Sequence, residues 1–242
     1  MTARIATEPV DGLVLDGVHA FTTTRAAGTF GTSGDDPVHE VMGRWSALAE
    51  ELQRFGPRLA SASQVHGTRV VTHGGDWAGW LRIPAADGHV AARAGTALAI
   101  VIADCVPVFL AHASGAVALL HAGWRGTAAH ILEAGVRALR CLGIPPKELH
   151  LSLGPAICGR CYEVSPDVYE RITARAVSRP TTVDLRDVLA RQARALGIAR
   201  IHASSQCTRC DHDRFFSHRA GDRGRQVAVI VAASDATSLD SP

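Results

Sequence analysis

Two histidines and a cysteine stand out by residue type and by setting. They lie in Ser63-Gln64-Val65-His66-Gly67, Ala103-Asp104-Cys105-Val106-Pro107 and His121-Ala122-Gly123-Trp124-Arg125-Gly126. Each stretch ends an apolar run beside a Gly or Pro that breaks regular structure. Two imidazoles and a thiolate are three protein ligands for a zinc ion. Three leave the fourth tetrahedral position open, which is the arrangement of catalytic rather than structural zinc. The chemistry requires that the three stretches converge at one edge of a sheet. Singly, each has a plainer reading: His66 as a strand-end histidine, Cys105 as an inert thiol, His121 as the entry to a tight strand-to-helix turn. The same residues also allow a metal-free cysteine hydrolase, with Cys105 as nucleophile and His121 or His66 as its base.

The elements that must position these groups can be read from hydrophobic periodicity. Residues 97–103, 106–111 and 116–121 are apolar runs divided by Asp-Cys-Val-Pro and by Ser-Gly, which predicts adjacent strands buried on both faces. After His121 the pattern turns helical, with Ile131, Leu132, Val136 and Leu139 on one face and Gly143 as the stop. The glycines after His121 let backbone approach a ligand, and a helix starting after Gly126 would turn free N–H groups toward an anion beside Arg125. Upstream, Val38, Val41, Met42, Trp45, Leu48, Leu52 and Phe55 recur at helical spacing behind Pro37. A Gly- and Asp-rich loop over 28–37 precedes them, and a second loop over 74–84 carries Trp77 and Trp80. Residues 149–153 read as a strand, 166–177 and 184–196 as helices with Asp184 as N-cap, and 198–202 and 226–232 as closing strands. Strands and helices interleave without strict alternation. The expected fold is therefore α+β (mixed α/β), one domain over 1–242 with mixed β-sheets flanked by helices, and a loose tail over 234–242.

Bulk properties narrow the function. A formal charge of +2, from basic residues scattered along the chain, gives no footprint for nucleic acid. No apolar run reaches membrane-spanning length, and Met1-Thr2-Ala3-Arg4-Ile5 has no signal core, so a cytoplasmic protein without a membrane partner is expected. In a reducing compartment, cysteines read as buried thiols, ligands or catalytic groups before disulfides.

Motifs along nearly the whole chain carry a resemblance. Phe21-Thr22-Thr23-Thr24-Arg25, Gln64-Val65-His66-Gly67, Ala86-Asp87-Gly88, Ala103-Asp104-Cys105-Val106-Pro107 and His121-Ala122-Gly123-Trp124-Arg125-Gly126-Thr127 occur in order. They are followed by Gly154-Pro155-Ala156-Ile157, Cys161-Tyr162-Glu163-Val164, Cys207-Thr208, Phe215-Phe216-Ser217-His218-Arg219 and Gly224-Arg225-Gln226. The set closely resembles the YfiH-like family, whose members are called purine nucleoside phosphorylases and were formerly described as laccase-domain or multicopper polyphenol oxidases. The resemblance implies a zinc ion on His66, Cys105 and His121. It also implies phosphorolysis of adenosine, inosine, guanosine and methylthioadenosine, together with adenosine deamination. The chain departs from the family at Gly31-Thr32-Ser33-Gly34-Asp35-Asp36 and Met42-Gly43-Arg44-Trp45, where the family commonly carries asparagines.

Those reactions need further groups. Deamination requires an acid for the leaving amine, and Asp87 and Asp104 are the carboxylates expected there, with turn capping as their plainer role. Phosphorolysis requires an anion site, expected at Arg25 and Arg125. Gln64 carries both donor and acceptor groups and could read a nucleobase edge, or serve as a strand-end amide. The partners are purine nucleosides and phosphate, and the chain is expected to be a monomer or weak homo-oligomer. Zinc is the expected metal and copper a lesser alternative. A four-copper oxidase needs His-x-His or His-Cys-His elements, and none occurs among the 12 histidines.

Four cysteines remain in pairs. Cys158-Gly159-Arg160-Cys161 and Cys207-Thr208-Arg209-Cys210 are two Cys-x-x-Cys elements with 45 residues between them. Four thiolates from two such turns could hold a structural zinc; otherwise they are neighbouring thiols, or a disulfide formed after purification.

Overall fold

Alternation along a strand sends successive side chains to opposite faces. In the computed structural model, which describes residues 5–234, that rule divides the apolar residues between three packed layers. The chain runs through β1 (Thr7–Pro9), β2 (Val18–Thr23), α1 (Val38–Leu52), β3 (Arg58–Ala62), β4 (Val70–His73), β5 (Gly79–Ile83) and β6 (Gly88–Ala91). It continues with β7 (Thr96–Ile102), β8 (Val106–Ala111), β9 (Val117–Ala122), α2 (Trp124–Ala128), α3 (Ile131–Cys141) and β10 (His150–Leu153). The last elements are β11 (Glu163–Val164), α4 (Pro166–Thr173), β12 (Thr181–Thr182), α5 (Leu185–Ala195), β13 (Arg200–Ala203) and β14 (Gln226–Ala232).

Two six-stranded mixed sheets form, in the orders β1-β2-β14-β7-β3-β5 and β13-β10-β8-β9-β6-β4, and β11 pairs with β12 apart from them. The layer between the large sheets takes Leu98, Ile100, Ile102, Ala228 and Ile230 from the first and Phe109, Ala111, Val117 and Leu119 from the second. On its outer side the first sheet buries Ala97, Ala99, Val227 and Val229 against Val41, Trp45, Leu48 and Leu52 of α1. The second sheet buries Val108, Leu110, Ala118 and Leu120 against α3 and α5. Each large aliphatic side chain in these layers stabilises the fold by about 1.5–3 kcal/mol. The mixed α+β class is as expected.

Several elements differ from the sequence reading. The run over 97–103 and the run over 106–111 do not pair; β7 lies in the first sheet and β8 in the second. Of the helical stripe behind Pro37, Val41, Trp45, Leu48 and Leu52 are buried, whereas Val38 and Met42 face solvent. The 74–84 segment contains β5, whose Trp80 stacks on Trp45 and donates its indole N–H to Ser61 Oγ. The helix over 166–177 ends at Thr173, because Ala174 turns left-handed with φ 56°. One helix after His121 becomes two, broken at His130 with φ 61°. Asp184 caps α5 as expected, accepting from the Arg186 N–H at 2.9 Å. No helix among the described residues is long and apolar enough to cross a membrane. Of the expected tail over 234–242, residues 235–242 lie outside the described residues.

Candidate metal centre

Three connections carry the chain from the first sheet to the second at one end of the sandwich. Residues 63–69 join β3 to β4 and bear His66; 84–87 join β5 to β6 and bear Asp87; 103–105 join β7 to β8 and bear Cys105. His121 sits near the end of β9 and follows Val117 and Leu119 by alternation, so it faces the layer between the sheets. The ligand atoms of His66, Cys105 and His121 lie within 4.8 Å of one another, and the two imidazole rings are 4.8 Å apart, edge to face.

Asp87 is the hub of this arrangement. Its fully buried carboxylate accepts from the N–H groups of Val65 at 3.1 Å, His66 at 2.8 Å and Gly67 at 2.7 Å, and it lies 2.9 Å from Nδ1 of His121. A carboxylate that accepts from backbone three times cannot also donate, so His121 donates its Nδ1–H to Asp87 and turns its other nitrogen toward Cys105. Burial pushes Asp87 up, but the hydrogen bond from His121 and those from Gly67 and Val65 outweigh it and hold the carboxyl below its ordinary value. Burial also opposes charge on Cys105 and His121. Their mutual attraction, with hydrogen bonds from His121 and His66 to the sulfur, brings the thiol down to about 6. The thiolate and Asp87 raise His121 to about 9. Each of the two thus favours the charged form of the other.

Strained backbone marks the same place. His66 and Asp104 are left-handed, with φ 59° and 82°, at a cost of order 1–3 kcal/mol each. Hydrogen bonds fix both turns. Asp87 holds 65–67, and the Asp104 carboxylate accepts from Thr208 Oγ1 at 2.6 Å, Ser217 Oγ at 2.8 Å and the Arg219 N–H at 2.7 Å. Both aspartates expected as proton donors are therefore engaged as acceptors that position the turns. Gly123 completes the cradle. A Cβ there would meet Cys105 Sγ at 2.8 Å and His66 Cδ2 at 3.2 Å, so glycine keeps open the space among the donors. Softness, number and convergence of the donors suit a bound metal.

The centre forms part of the wall of a cavity of about 680 Å³, within the range that takes a small organic ligand. Trp124, Arg125, Tyr162 and Trp45 line it, as do Gly31, Thr32 and Ser33 from the segment that departs from the family motif. The Arg125 guanidinium stacks 4.4 Å over the Trp124 ring and has no carboxylate partner among the described residues. The helix N-terminus expected after Gly126 is different: α2 starts at Trp124 and has five residues, so the cation falls to Arg125 itself. Arg25 does not line the cavity. It pairs with Asp222 at 2.7 Å and donates to the carbonyls of His212 and Phe215. Gln64 lines the cavity, but its amide donates to the Val101 carbonyl and accepts from the Val101 N–H, both at 2.8 Å, like one more residue of a strand. Arg219 and Arg225 line the cavity and had no role assigned from sequence, although both lie in the C-terminal motifs quoted above.

A His-Cys-His cluster on two connections and one strand of a two-sheet sandwich defines a mixed α+β protein with a metal-capable pocket. The chain belongs to the family described as multi-copper polyphenol oxidoreductase laccase, whose model matches residues 19–233. Relatives carry another name. A Streptomyces griseus protein named as a purine nucleoside phosphorylase is 36% identical over 208 residues, covering 83% of this chain and 84% of its own. One from Pseudomonas aeruginosa, named likewise, is 35% identical over 239 residues, covering 90% and 94%. Among solved structures, YlmD from Geobacillus stearothermophilus matches with a TM-score of 0.84 at 28% identity, over 97% of this chain and 98% of that one. A hypothetical protein YfiH from Bacillus licheniformis also matches at 0.84, with 25% identity over 96% and 98%. The resemblance read from the motifs therefore holds. The described residues bring together one metal-capable group with histidine donors, not the several that a set of copper centres needs.

Proposed function

We propose that this chain is a zinc-dependent purine nucleoside phosphorylase with adenosine deamination as a second reaction. The observation that carries the reading is the meeting of His66, Cys105 and His121 beside a cavity that also holds the Arg125 guanidinium. The names of its relatives support it. Adenosine, inosine, guanosine and methylthioadenosine are the proposed substrates.

His66, Cys105 and His121 would hold the zinc, which when bound supplies a Lewis-acid charge beside the purine or a water. The other steps fall to the chain's own groups. Glycosidic cleavage passes through a ribosyl cation-like state, with phosphate arriving as the purine leaves. Arg125 binds that phosphate as a charge-assisted donor. Trp124 and Tyr162 offer aromatic surface to the flat base and sugar. Asp87 keeps His121 in one tautomer and its ring in one orientation. The 31–33 segment lies on the cavity wall, where its departure from the family motif would bear on substrate preference.

Arg125→Ala is expected to raise KM for phosphate about 10- to 100-fold, the worth of a lost hydrogen bond to a charged group, while deamination changes little. Steady-state rates against phosphate concentration give the comparison; equal losses in both reactions would assign Arg125 a structural role. The reading itself is tested by incubating protein of known metal content with adenosine, with and without phosphate, and resolving adenine, inosine and hypoxanthine. Phosphate-dependent adenine supports it; no cleavage of adenosine, nor of inosine, guanosine or methylthioadenosine tested in the same way, overturns it.

The approach of Cys105 to two imidazoles, with the thiol lowered by them, favours one second reading, a metal-free cysteine hydrolase using Cys105 with His121 or His66. Hydrolysis by metal-depleted protein, lost on alkylation of Cys105, would select it.

A further inference from the structure

We infer that Cys158, Cys161, Cys207 and Cys210 form a second metal site, a tetrathiolate zinc that is structural and separate from the reacting centre. The four sulfurs lie within 4.8 Å of one another. All four are free thiols, and the sulfurs of Cys161 and Cys210 are 3.5 Å apart, well beyond the roughly 2.05 Å of a disulfide. Sulfurs spaced in this way around a common point match the donors of a small tetrahedral ion, and four thiolates leave no open position.

The surrounding backbone is built for it. Both Cys-x-x-Cys segments are tight turns, with the Cys161 N–H donating to the Cys158 carbonyl at 2.9 Å. The sulfur of Cys207 accepts from the N–H groups of Cys158 at 3.2 Å and Cys210 at 3.4 Å, which fixes it between the two turns. A parallel bridge pairs Ala156 with Cys207 and sets the two turns side by side. Asp184 reaches across from the start of α5 to accept from the Gly159 N–H at 3.0 Å, and Arg186 donates to the carbonyls of Ser204 and Gln206 at 2.6 and 2.7 Å. Zinc with four thiolates carries two negative charges. Each turn supplies one exposed arginine to offset them, Arg160 and Arg209.

The consequence for the fold is a clamp between chain segments far apart in sequence. Thr208, inside the second turn, donates to Asp104, the residue before Cys105. Tyr162, next to Cys161, lines the cavity. Metal at the four cysteines therefore fixes one wall of the pocket without touching the substrate.

The test is metal stoichiometry. Protein purified without chelator is expected to hold about two zinc ions per chain, one from each cluster. Cys158→Ser with Cys210→Ser should lower this to about one, with the ion on His66, Cys105 and His121 retained. Should that variant fail to fold, His66→Ala with His121→Ala carries the test from the other side. It should keep one zinc with an all-sulfur shell at about 2.3 Å by X-ray absorption. A wild-type ratio of one that falls to zero in the His66/His121 variant would overturn the inference. So would disulfides among these cysteines in freshly isolated, air-protected protein, or iron in place of zinc. Each readout is independent of nucleoside turnover, so the proposed reaction can fail while this site stands, and the reverse.

Discussion

Cys105→Ala is expected to remove phosphorolysis and deamination together, lowering kcat/KM for each on the order of 10³-fold. Its sulfur is the one thiol of the three-donor cluster, on which both proposed reactions would draw. The metal held with His66 and His121 should be lost from the same protein, measured as zinc per chain beside the rates. The arrangement of His66 and His121 about 5 Å apart, edge to face, is set by Asp87 and β9 and does not depend on the sulfur. Loss of activity therefore reports on chemistry, and an unchanged unfolding midpoint would confirm that the frame survives. Full activity in this variant would sink the shared centre. Inactive protein that keeps its zinc would instead point to Cys105 as a nucleophile.

Asp87→Asn is the second large effect, although Asp87 touches no substrate in the proposed reaction. The substitution keeps shape and removes charge. It sets an amide N–H₂ against donors from Val65, His66, Gly67 and His121, of which one oxygen can now satisfy only some. The buried pair with His121 is broken, at about 3–5 kcal/mol of stability. Zinc affinity should fall about 10- to 100-fold as the His121 tautomer and the 65–67 turn lose their anchor. Because the folded-state carboxyl is held below its ordinary value, its contribution is complete at neutral pH and is lost as pH falls below the ordinary carboxylate range. The asparagine variant should therefore lack that acid limb of the stability profile, read by denaturant unfolding across pH. Wild-type stability with weakened zinc would assign Asp87 to the centre alone.

The donors were legible in the sequence because each sits at a break that sequence marks. Gly67 and Gly123 mark the breaks beside His66 and His121, and Asp104 ends the apolar run before Cys105, whereas Pro107, read as a further break, lies inside β8; such polar and glycine punctuation survives in one dimension. Strand 226–232 and the Asp184 cap were equally plain, since both depend on local pattern. What sequence could not show was which sheet each strand joins. Runs over 97–103 and 106–111 look like neighbours, yet the turn between them crosses the sandwich, and nothing in three residues announces a change of layer. Arg25 shows the same limit. A motif arginine near an expected anion site instead pairs with Asp222, almost 200 positions away. Gln64 looked free to meet a base because its partner, Val101, is contributed by a strand that sequence does not place beside it.

Because two of the donors ride on connections between the sheets and the third on a strand of the second sheet, the centre gauges how those sheets are seated on each other. Leu98 and Leu119, from opposite sheets, lie in the layer between them, and His121 continues the face that Leu119 begins. Trimming such a side chain lets the sheets settle by a fraction of an ångström as the void partly collapses. A shift of that size is absorbed by a pliable pocket but not by three atoms that would share the proposed ion. Leu119→Ala would thus read in an assay as a weakened metal site, although it alters no ligand. In this fold a defect in the oily middle and a defect at the reacting centre would carry the same symptom.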